Sequence, residues 1–177
     1  MTETHLHCTC GKVRLDLTGD PIVTAECCCT SCRTAGARMQ ALPDAPQVLT
    51  DYGGTPFVLY RKDRVRIADG AAQLAGFHLT PKSPSRRIVA TCCNTPMFLD
   101  FQSGHWLSLY GSLWPEGSRP ALDLRTMTGD LEDRSILPDD VPNPRKHTLS
   151  FFARLLGAWV AMGFRVPKIA VPRDLQI

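Results

Sequence analysis

The sequence has few of the features that mark a membrane protein, a nucleic-acid-binding protein or a serine-type hydrolase. Its 177 residues carry a net charge of only +3 without a basic stripe interleaved with aromatics, so nucleic acid is not an expected partner. The apolar stretch at residues 151–164 falls short of the ~20 residues that a bilayer crossing needs. No internal repeat and no Ser-His-Asp arrangement is visible. The length fits one domain with an appendage.

The first residues also lack the pattern of a signal peptide. Residues 1–5 are polar and lead directly to cysteines. We therefore expect a cytoplasmic, reducing compartment, where clustered cysteines bind metal or act in catalysis more often than they form disulfides. Neighbouring cysteines such as Cys92 and Cys93 are also poor disulfide partners, because a bond between them is strained.

Helical periodicity is scarce, whereas the 14 prolines and 13 glycines favour short strands joined by turns. Alternating or β-branched runs predict strands at 12–17, 22–25, 57–60, 65–67, 74–79, 87–90, 97–101, 106–110 and 122–127. A helical turn or two is predicted at 34–42, ended by Pro43. We expect a mainly β domain of residues 1–114, followed by a loop-rich extension, 115–177, with an apolar helix at about 148–164.

The apolar helix of the extension has more than one interpretation. Packing on its own domain, or on a second subunit in a homodimer, is favoured. An interfacial membrane anchor is the less favoured alternative, since basic residues flank the helix at positions 145, 146, 165 and 168.

Four of the eight cysteines lie within six positions, and three of them form a C-x-C-x-x-C pattern: Cys27, Cys29 and Cys32. Thiolates are soft, strong zinc ligands, and a short loop can direct several of them at one ion. Three protein ligands leave a tetrahedral zinc with one open position, which is typical of a catalytic site. The remaining neighbour, Cys28, is either a small buried residue or a spare thiol.

A second zinc site is predicted from two distant cysteine turns, Cys8-x-Cys10-Gly and Cys92-Cys93-Asn, because one ion held by both would pin a small β domain. Adjacent residues of an extended chain point in opposite directions, so Cys93 is the better partner for Cys8 and Cys10. Cys92 either completes this site through a kinked backbone or turns toward Cys27. Asn94 can supply the left-handed backbone of the turn.

A zinc ion on three thiolates can bind and deprotonate an incoming thiol, and it can polarise an aldehyde. Bringing both together would form or break a carbon–sulfur bond through a hemithioacetal. Arg33 and Arg38 are candidates to meet the carboxylates of an anionic thiol such as glutathione, with plain surface charge as the alternative.

The order of these motifs resembles the glutathione-dependent formaldehyde-activating enzyme family, which includes the centromere protein V-like proteins. The resemblance covers about residues 5–110. It is carried by Cys8, Cys10 and Gly11, by Cys27, Cys29, Cys32 and Arg33, and by the run Cys93-Asn94-Thr95-Pro96.

The resemblance implies a β-tent fold, in which two packed antiparallel sheets grip a structural zinc. Cys8, Cys10 and Cys93 match three of its four cysteines, and the fourth falls on Ala90. It further implies a looser zinc at the C-x-C-x-x-C loop, where Cys28 replaces the family's histidine. That second site is expected to handle glutathione and its formaldehyde adduct, S-hydroxymethylglutathione.

The preferred interpretation is a zinc-dependent carbon–sulfur lyase acting on a small thiol–aldehyde adduct, with glutathione as co-substrate. The predicted catalytic residues are Cys27, Cys29 and Cys32, and Arg33 is predicted to bind the co-substrate. One or two zinc ions per chain are expected, held by these three cysteines and by Cys8, Cys10, Cys92 and Cys93. The alternative is a non-catalytic zinc module that binds a protein or nucleic acid, and a redox role for Cys28 and Cys92 stays open.

Overall fold

The computed structural model describes residues 2–175, and the protein is mainly β with two helices. The helices are α1 (Thr30–Gln40) and α2 (Leu149–Ala161). The strands are β1 (Glu3–His7), β2 (Arg14–Thr18), β3 (Val23–Cys27), β4 (Thr55–Arg61), β5 (Val65–Asp69), β6 (Leu74–Phe77), β7 (Ser85–Ala90), β8 (Thr95–Phe101), β9 (Trp106–Tyr110), β10 (Leu124–Thr126) and β11 (Arg173–Asp174). The predicted β-rich fold with a C-terminal helix is confirmed.

The strands form two sheets. The smaller has three antiparallel strands in the order β1-β2-β5, and the larger has eight in the order β10-β3-β4-β9-β8-β7-β6-β11. All pairings in the larger sheet are antiparallel except the two at its edges, β10 with β3 and β11 with β6. Both edge strands come from the predicted extension, so this segment widens the sheet as well as carrying α2. The division at 114/115 stays a prediction; positions 1, 176 and 177, which it includes, lie outside the described residues.

The larger sheet is covered on both faces, which explains why its central strands are buried throughout rather than alternating between buried and exposed. In β4, Val58 and Tyr60 join a core shared with the small sheet. Phe57 and Leu59 point to the other face and join a second core with both helices. The C-x-C-x-x-C cysteines pack against this second core.

The apolar helix α2 occupies the predicted region but is shorter than expected. The Thr148 hydroxyl accepts a hydrogen bond from the Phe151 amide (3.2 Å) and caps its start. Gly163 and Phe164 both have positive φ, which ends it. Its inner face is buried, while four apolar side chains on the outer face are exposed: Leu149, Phe152, Leu156 and Val160. Within residues 2–175 no helix is long and apolar enough to cross a membrane.

A buried ionic network holds the extension against the larger sheet. Arg125 in β10 donates to the Glu26 carboxylate (3.0 Å) and the Tyr52 hydroxyl (3.0 Å). It also donates to Asp140 (2.6 Å), and Tyr52 donates to Glu26. Arg125 and Glu26 are almost fully buried, so each ion depends on the other to offset the loss of water.

Candidate functional site

Four cysteines from two distant turns come together: Cys8 and Cys10 after β1, and Cys92 and Cys93 between β7 and β8. Their four Sγ atoms all lie within 4.8 Å of one another. The Cys92 Sγ is 3.3 Å from that of Cys10, 3.8 Å from that of Cys8 and 3.9 Å from that of Cys93. Tetrahedral zinc with Zn–S bonds of about 2.3 Å places its sulfurs about 3.8 Å apart. The cluster therefore has the donor type, number and spacing of a closed zinc site.

Two left-handed residues allow the turns to bring these sulfurs together. Gly11 has φ of 77° and its amide donates to the Cys8 carbonyl (2.8 Å). Asn94 has φ of 53°, as expected of its place in the turn. Because residues 91–94 form a turn rather than an extended segment, both neighbouring cysteines reach the same cluster. Cys92 thus supplies the fourth thiol of this cluster. The comparison with the family motif had placed the fourth cysteine at position 90, which is an alanine.

The three cysteines of the C-x-C-x-x-C pattern form a second cluster, with Sγ atoms within 4.8 Å of one another. Cys27 ends β3, Cys29 is the N-cap of α1 and Cys32 lies in the first helical turn. The Cys29 Sγ accepts a hydrogen bond from the Cys32 amide (3.4 Å). The helix N-terminus directs its partial positive charge at this sulfur, which favours a thiolate there.

Hydrogen bonds among the three sulfurs favour the thiolate form at Cys29 over the other two. Bonds from Cys27 and Cys32 lower the pKa of Cys29 to about 2. The bond to Cys29, followed by the bond to Cys32 and burial, raises the pKa of Cys27. The bond with Cys27 lowers the pKa of Cys32, but its bond with Cys29 and its burial outweigh this and raise the pKa to about 12.

A buried guanidinium, missed in the sequence, lies next to this cluster. Arg87 in β7 is almost fully buried and donates to the Ser31 carbonyl in α1 (3.4 Å). Its positive charge contributes to lowering the pKa of the Cys29 thiol, after the larger effects of the neighbouring cysteines. No sequence motif links residue 87 to the cysteine loop, since they meet only through sheet order.

The three-thiol cluster lies in the wall of a cavity of about 310 Å³ between the larger sheet and α2. The lining residues are Ala25, Cys27, Cys29, Cys32, Phe57, Leu59, Leu99, Phe101, Trp106, Ser108, Thr126, His147, Phe151, Phe152 and Leu155. Among the described residues that line it, none is Lys, Arg, Asp or Glu. The volume is at the small end of typical ligand pockets.

Among the residues described as lining this cavity, His147 is the one titratable side chain besides the cysteines. No sequence motif indicated it. Its Nδ1 is 2.9 Å from the Thr126 hydroxyl, and its ring stacks on Phe151 with centroids 4.8 Å apart. Burial lowers the pKa of His147, so the neutral ring is favoured. A neutral imidazole beside the thiols can accept a proton.

The remaining candidates lie apart from the cavity. Arg33 donates to the Asp130 carbonyl (3.3 Å), and Arg38 lines a separate cavity near His78. Cys28 is fully buried outside both clusters, and burial raises the pKa of its thiol to about 11. That environment favours an inert structural cysteine at position 28. Cys92, the other candidate for a redox role, belongs to the four-thiol cluster.

Among the comparisons with known proteins, the match to a family model is the one that bears on the motifs. No curated protein matches the sequence. A solved structure of a Rhodobacter sphaeroides protein is 17% identical, with 70% of this chain and 100% of that chain covered and a TM-score of 0.47. The family model described as "Glutathione-dependent formaldehyde-activating enzyme" matches residues 3–110, which hold all eight cysteines. The chain belongs to the glutathione-dependent formaldehyde-activating enzyme family.

Proposed function

We propose that the protein is a zinc-dependent carbon–sulfur lyase that acts on the adduct of a small thiol and an aldehyde, such as S-hydroxymethylglutathione. One observation carries the proposal: the cluster of Cys27, Cys29 and Cys32 lies in the wall of a cavity instead of being closed by a fourth thiol. Family membership supports a glutathione-related, formaldehyde-activating function.

The two clusters would hold zinc in different ways. Cys8, Cys10, Cys92 and Cys93 provide four thiols, which would fill a structural site. Cys27, Cys29 and Cys32 provide three, so a zinc there would keep one position for an outside ligand. When bound at the second site, zinc supplies a positive charge that stabilises a thiolate sulfur.

Cleavage of the adduct R–S–CH₂–OH requires one bond to break and one proton to move. The carbon–sulfur bond breaks and its electron pair stays on sulfur, while the hydroxyl loses its proton as the carbon–oxygen double bond of formaldehyde forms. No oxidant is needed. His147 is placed to take this proton because its ring lies in the cavity wall and its Nδ1 is fixed against Thr126. The same residue would return the proton when the adduct forms in the reverse direction.

Glutathione would be held by its charged ends outside the apolar cavity. Arg33 lies on α1 one position beyond Cys32, and we propose it as the group that meets a glutathione carboxylate.

The eight free cysteines support the proposal of a cytoplasmic, reducing location.

A non-catalytic zinc module is the second candidate, and the closed four-thiol cluster favours it. A zinc held there would staple the turn after β1 to the turn between β7 and β8, which stabilises a fold without any reaction. This candidate predicts one tightly held zinc and no response to thiols.

Metal content and formaldehyde release separate the two candidates. We expect two zinc ions per chain. Mild chelation should remove one of them and should abolish the release of formaldehyde from S-hydroxymethylglutathione. Cys32→Ser should lose both the labile zinc and the release. The matched control is Cys28→Ala, which changes a cysteine of the same loop that lies outside the cluster and should keep both. Full release in Cys32→Ser, or one zinc per chain in the wild type, would contradict the lyase.

A further inference from the structure

The cavity beside the three thiols is far more apolar than a binding site for glutathione requires. Nine of its fifteen lining residues are Ala, Leu, Phe or Trp. The titratable side chains among the residues described as lining it are the three cysteines and His147. Glutathione has two carboxylates and an ammonium group. Burying these groups against Leu59, Leu99 and Phe101 would remove their water without supplying partners, which is strongly unfavourable.

Formaldehyde makes no use of this space either. Its single carbon needs only the immediate surroundings of the reacting sulfur, whereas the cavity continues from the cysteines to Trp106 and Phe152 over about 310 Å³. An apolar cavity of this size is stabilised by an occupant that covers its walls and excludes water. The walls therefore suit a hydrocarbon group larger than one carbon.

The apolar cover of the cavity is contributed by the segment outside the matched family region, which ends at residue 110. Phe151, Phe152 and Leu155 of α2 close it opposite the sheet, and Leu155 is 5% exposed. The shape of the cavity is thus a property of this chain's own extension. A substrate preference built by α2 can differ from what the matched region alone would favour.

We propose that the reacting adduct carries a hydrocarbon group, alkyl or aryl, that fills this cavity while its sulfur lies at the Cys27, Cys29 and Cys32 cluster. This inference rests on the proposed lyase function and names its substrate class. The hydrocarbon can come from either side of the adduct. It is the chain of an apolar thiol that carries formaldehyde, or the chain of an apolar aldehyde bound to a hydrophilic thiol such as glutathione.

Binding of n-alkanethiols from ethanethiol to hexanethiol to the zinc-loaded protein, measured by calorimetry, tests the cavity without relying on turnover. The sulfur anchor is the same in every member, so differences in Kd report only the hydrocarbon. Each buried methylene should tighten binding about fourfold, so hexanethiol should bind about 200-fold more tightly than ethanethiol. A Kd that stays constant along the series would overturn the proposal.

Two variants of α2 with matched exposure localise the effect. Phe152 is 52% exposed and lines the cavity, whereas Leu156 is 54% exposed and does not line it. Because both side chains are half in solvent, Phe152→Gln and Leu156→Gln should both fold. Phe152→Gln should weaken hexanethiol binding about tenfold, and Leu156→Gln should leave it unchanged. Equal effects of the two substitutions would place the hydrocarbon outside the cavity and refute the proposal.

Turnover then distinguishes the source of the hydrocarbon and separates this inference from the lyase itself. Cleavage is compared for the formaldehyde adduct of hexanethiol, the hexanal adduct of glutathione and S-hydroxymethylglutathione. Faster cleavage of either hydrocarbon-bearing adduct supports the proposal and identifies the source. Fastest cleavage of S-hydroxymethylglutathione leaves the lyase intact and refutes the substrate class. Chain-length-dependent binding without cleavage of any adduct supports the hydrocarbon site but refutes the lyase.

Discussion

Removing one sulfur from each cysteine cluster should have opposite consequences for fold and for labile metal. Cys10 belongs to the four-thiol cluster, which joins segments that are far apart in the chain. Cys8 and Cys92 in that cluster are 84 residues apart. Cys32 belongs to the three-thiol cluster, whose members lie within six consecutive positions and are already held by β3 and α1. A metal tie across the first cluster should therefore matter much more to folding.

The magnitude follows from the chain entropy that each tie removes from the unfolded state. Closing a loop of 84 residues is worth about 4.5 kcal/mol, whereas closing the loop from Cys27 to Cys32 is worth about 2 kcal/mol at most. In a protein of this size 1 kcal/mol corresponds to about 2–4 °C in Tm. Cys10→Ser in the presence of a mild chelator should therefore lower Tm by about 9–18 °C. Cys32→Ser should lower it by less than half as much.

Urea unfolding, thermal unfolding and zinc analysis of the two variants, each with and without chelator, measure these effects. We expect Cys32→Ser to contain one zinc that resists chelation and to lose at most about 4–8 °C in Tm. Cys10→Ser should lose the resistant zinc and unfold early. Equal destabilisation of the two variants, or a larger effect for Cys32→Ser, would mean that the C-x-C-x-x-C loop is the structural tie and would remove the basis of the catalytic assignment.

Three further predictions follow from other parts of the structure. Arg125→Ala should lower the free energy of unfolding by about 3–5 kcal/mol in urea titrations, because it leaves the buried Glu26 carboxylate without its cation; Arg154→Ala, which removes an exposed pair, should cost less than about 1 kcal/mol. Burial lowers the pKa of His105, so between this lowered pKa and 6.5 the unfolded state binds a proton that the folded state does not. The contribution of His105 to stability should therefore fall as pH drops from 6.5 toward this lowered pKa, by up to about 1.4 kcal/mol per unit, and His105→Gln should reduce the slope by that amount. The homodimer through α2 stays a prediction. Sedimentation should give twice the chain mass for the wild type and the chain mass for Val160→Glu, and a monomeric wild type would reject it.

Strands with a clear hydrophobic pattern could be predicted from the sequence, and those without one could not. β1 was missed because only Leu6 in its run Glu-Thr-His-Leu-His is buried. The strand forms because it pairs along its full length with β2, so its formation depends on another segment of the chain. The start of α1 was placed too late for a related reason. Its N-cap is Cys29, where Ser, Thr, Asp or Asn would normally signal a helix start.

The candidate metal ligands were visible as motifs, but their grouping depended on backbone conformation. An extended chain would direct Cys92 and Cys93 to opposite sides, and this rule does not apply inside the turn of residues 91–94. The cavity was not predictable, since His147 and Phe151 line it together with Cys29, which is more than a hundred residues away in the chain. No local pattern records a contact of that kind, because it is set by the order of strands and the docking of α2.

The placement of the two thiol clusters in the cores on opposite faces of the larger sheet gives a physical reason for the different chemistry that we propose for them. Cys8 packs in the core between the two sheets, where turns approach from both sides and can supply a fourth sulfur. Cys29 lies on the helical face, where the space opposite the sulfurs is covered by Phe151 and Leu155 of α2 rather than by another cysteine turn. Apolar side chains cannot ligate zinc, so they leave a coordination position open while keeping water away from it. A cover of this kind would make the second cluster reactive. The side chains that form the cover would also select which substrates reach the metal.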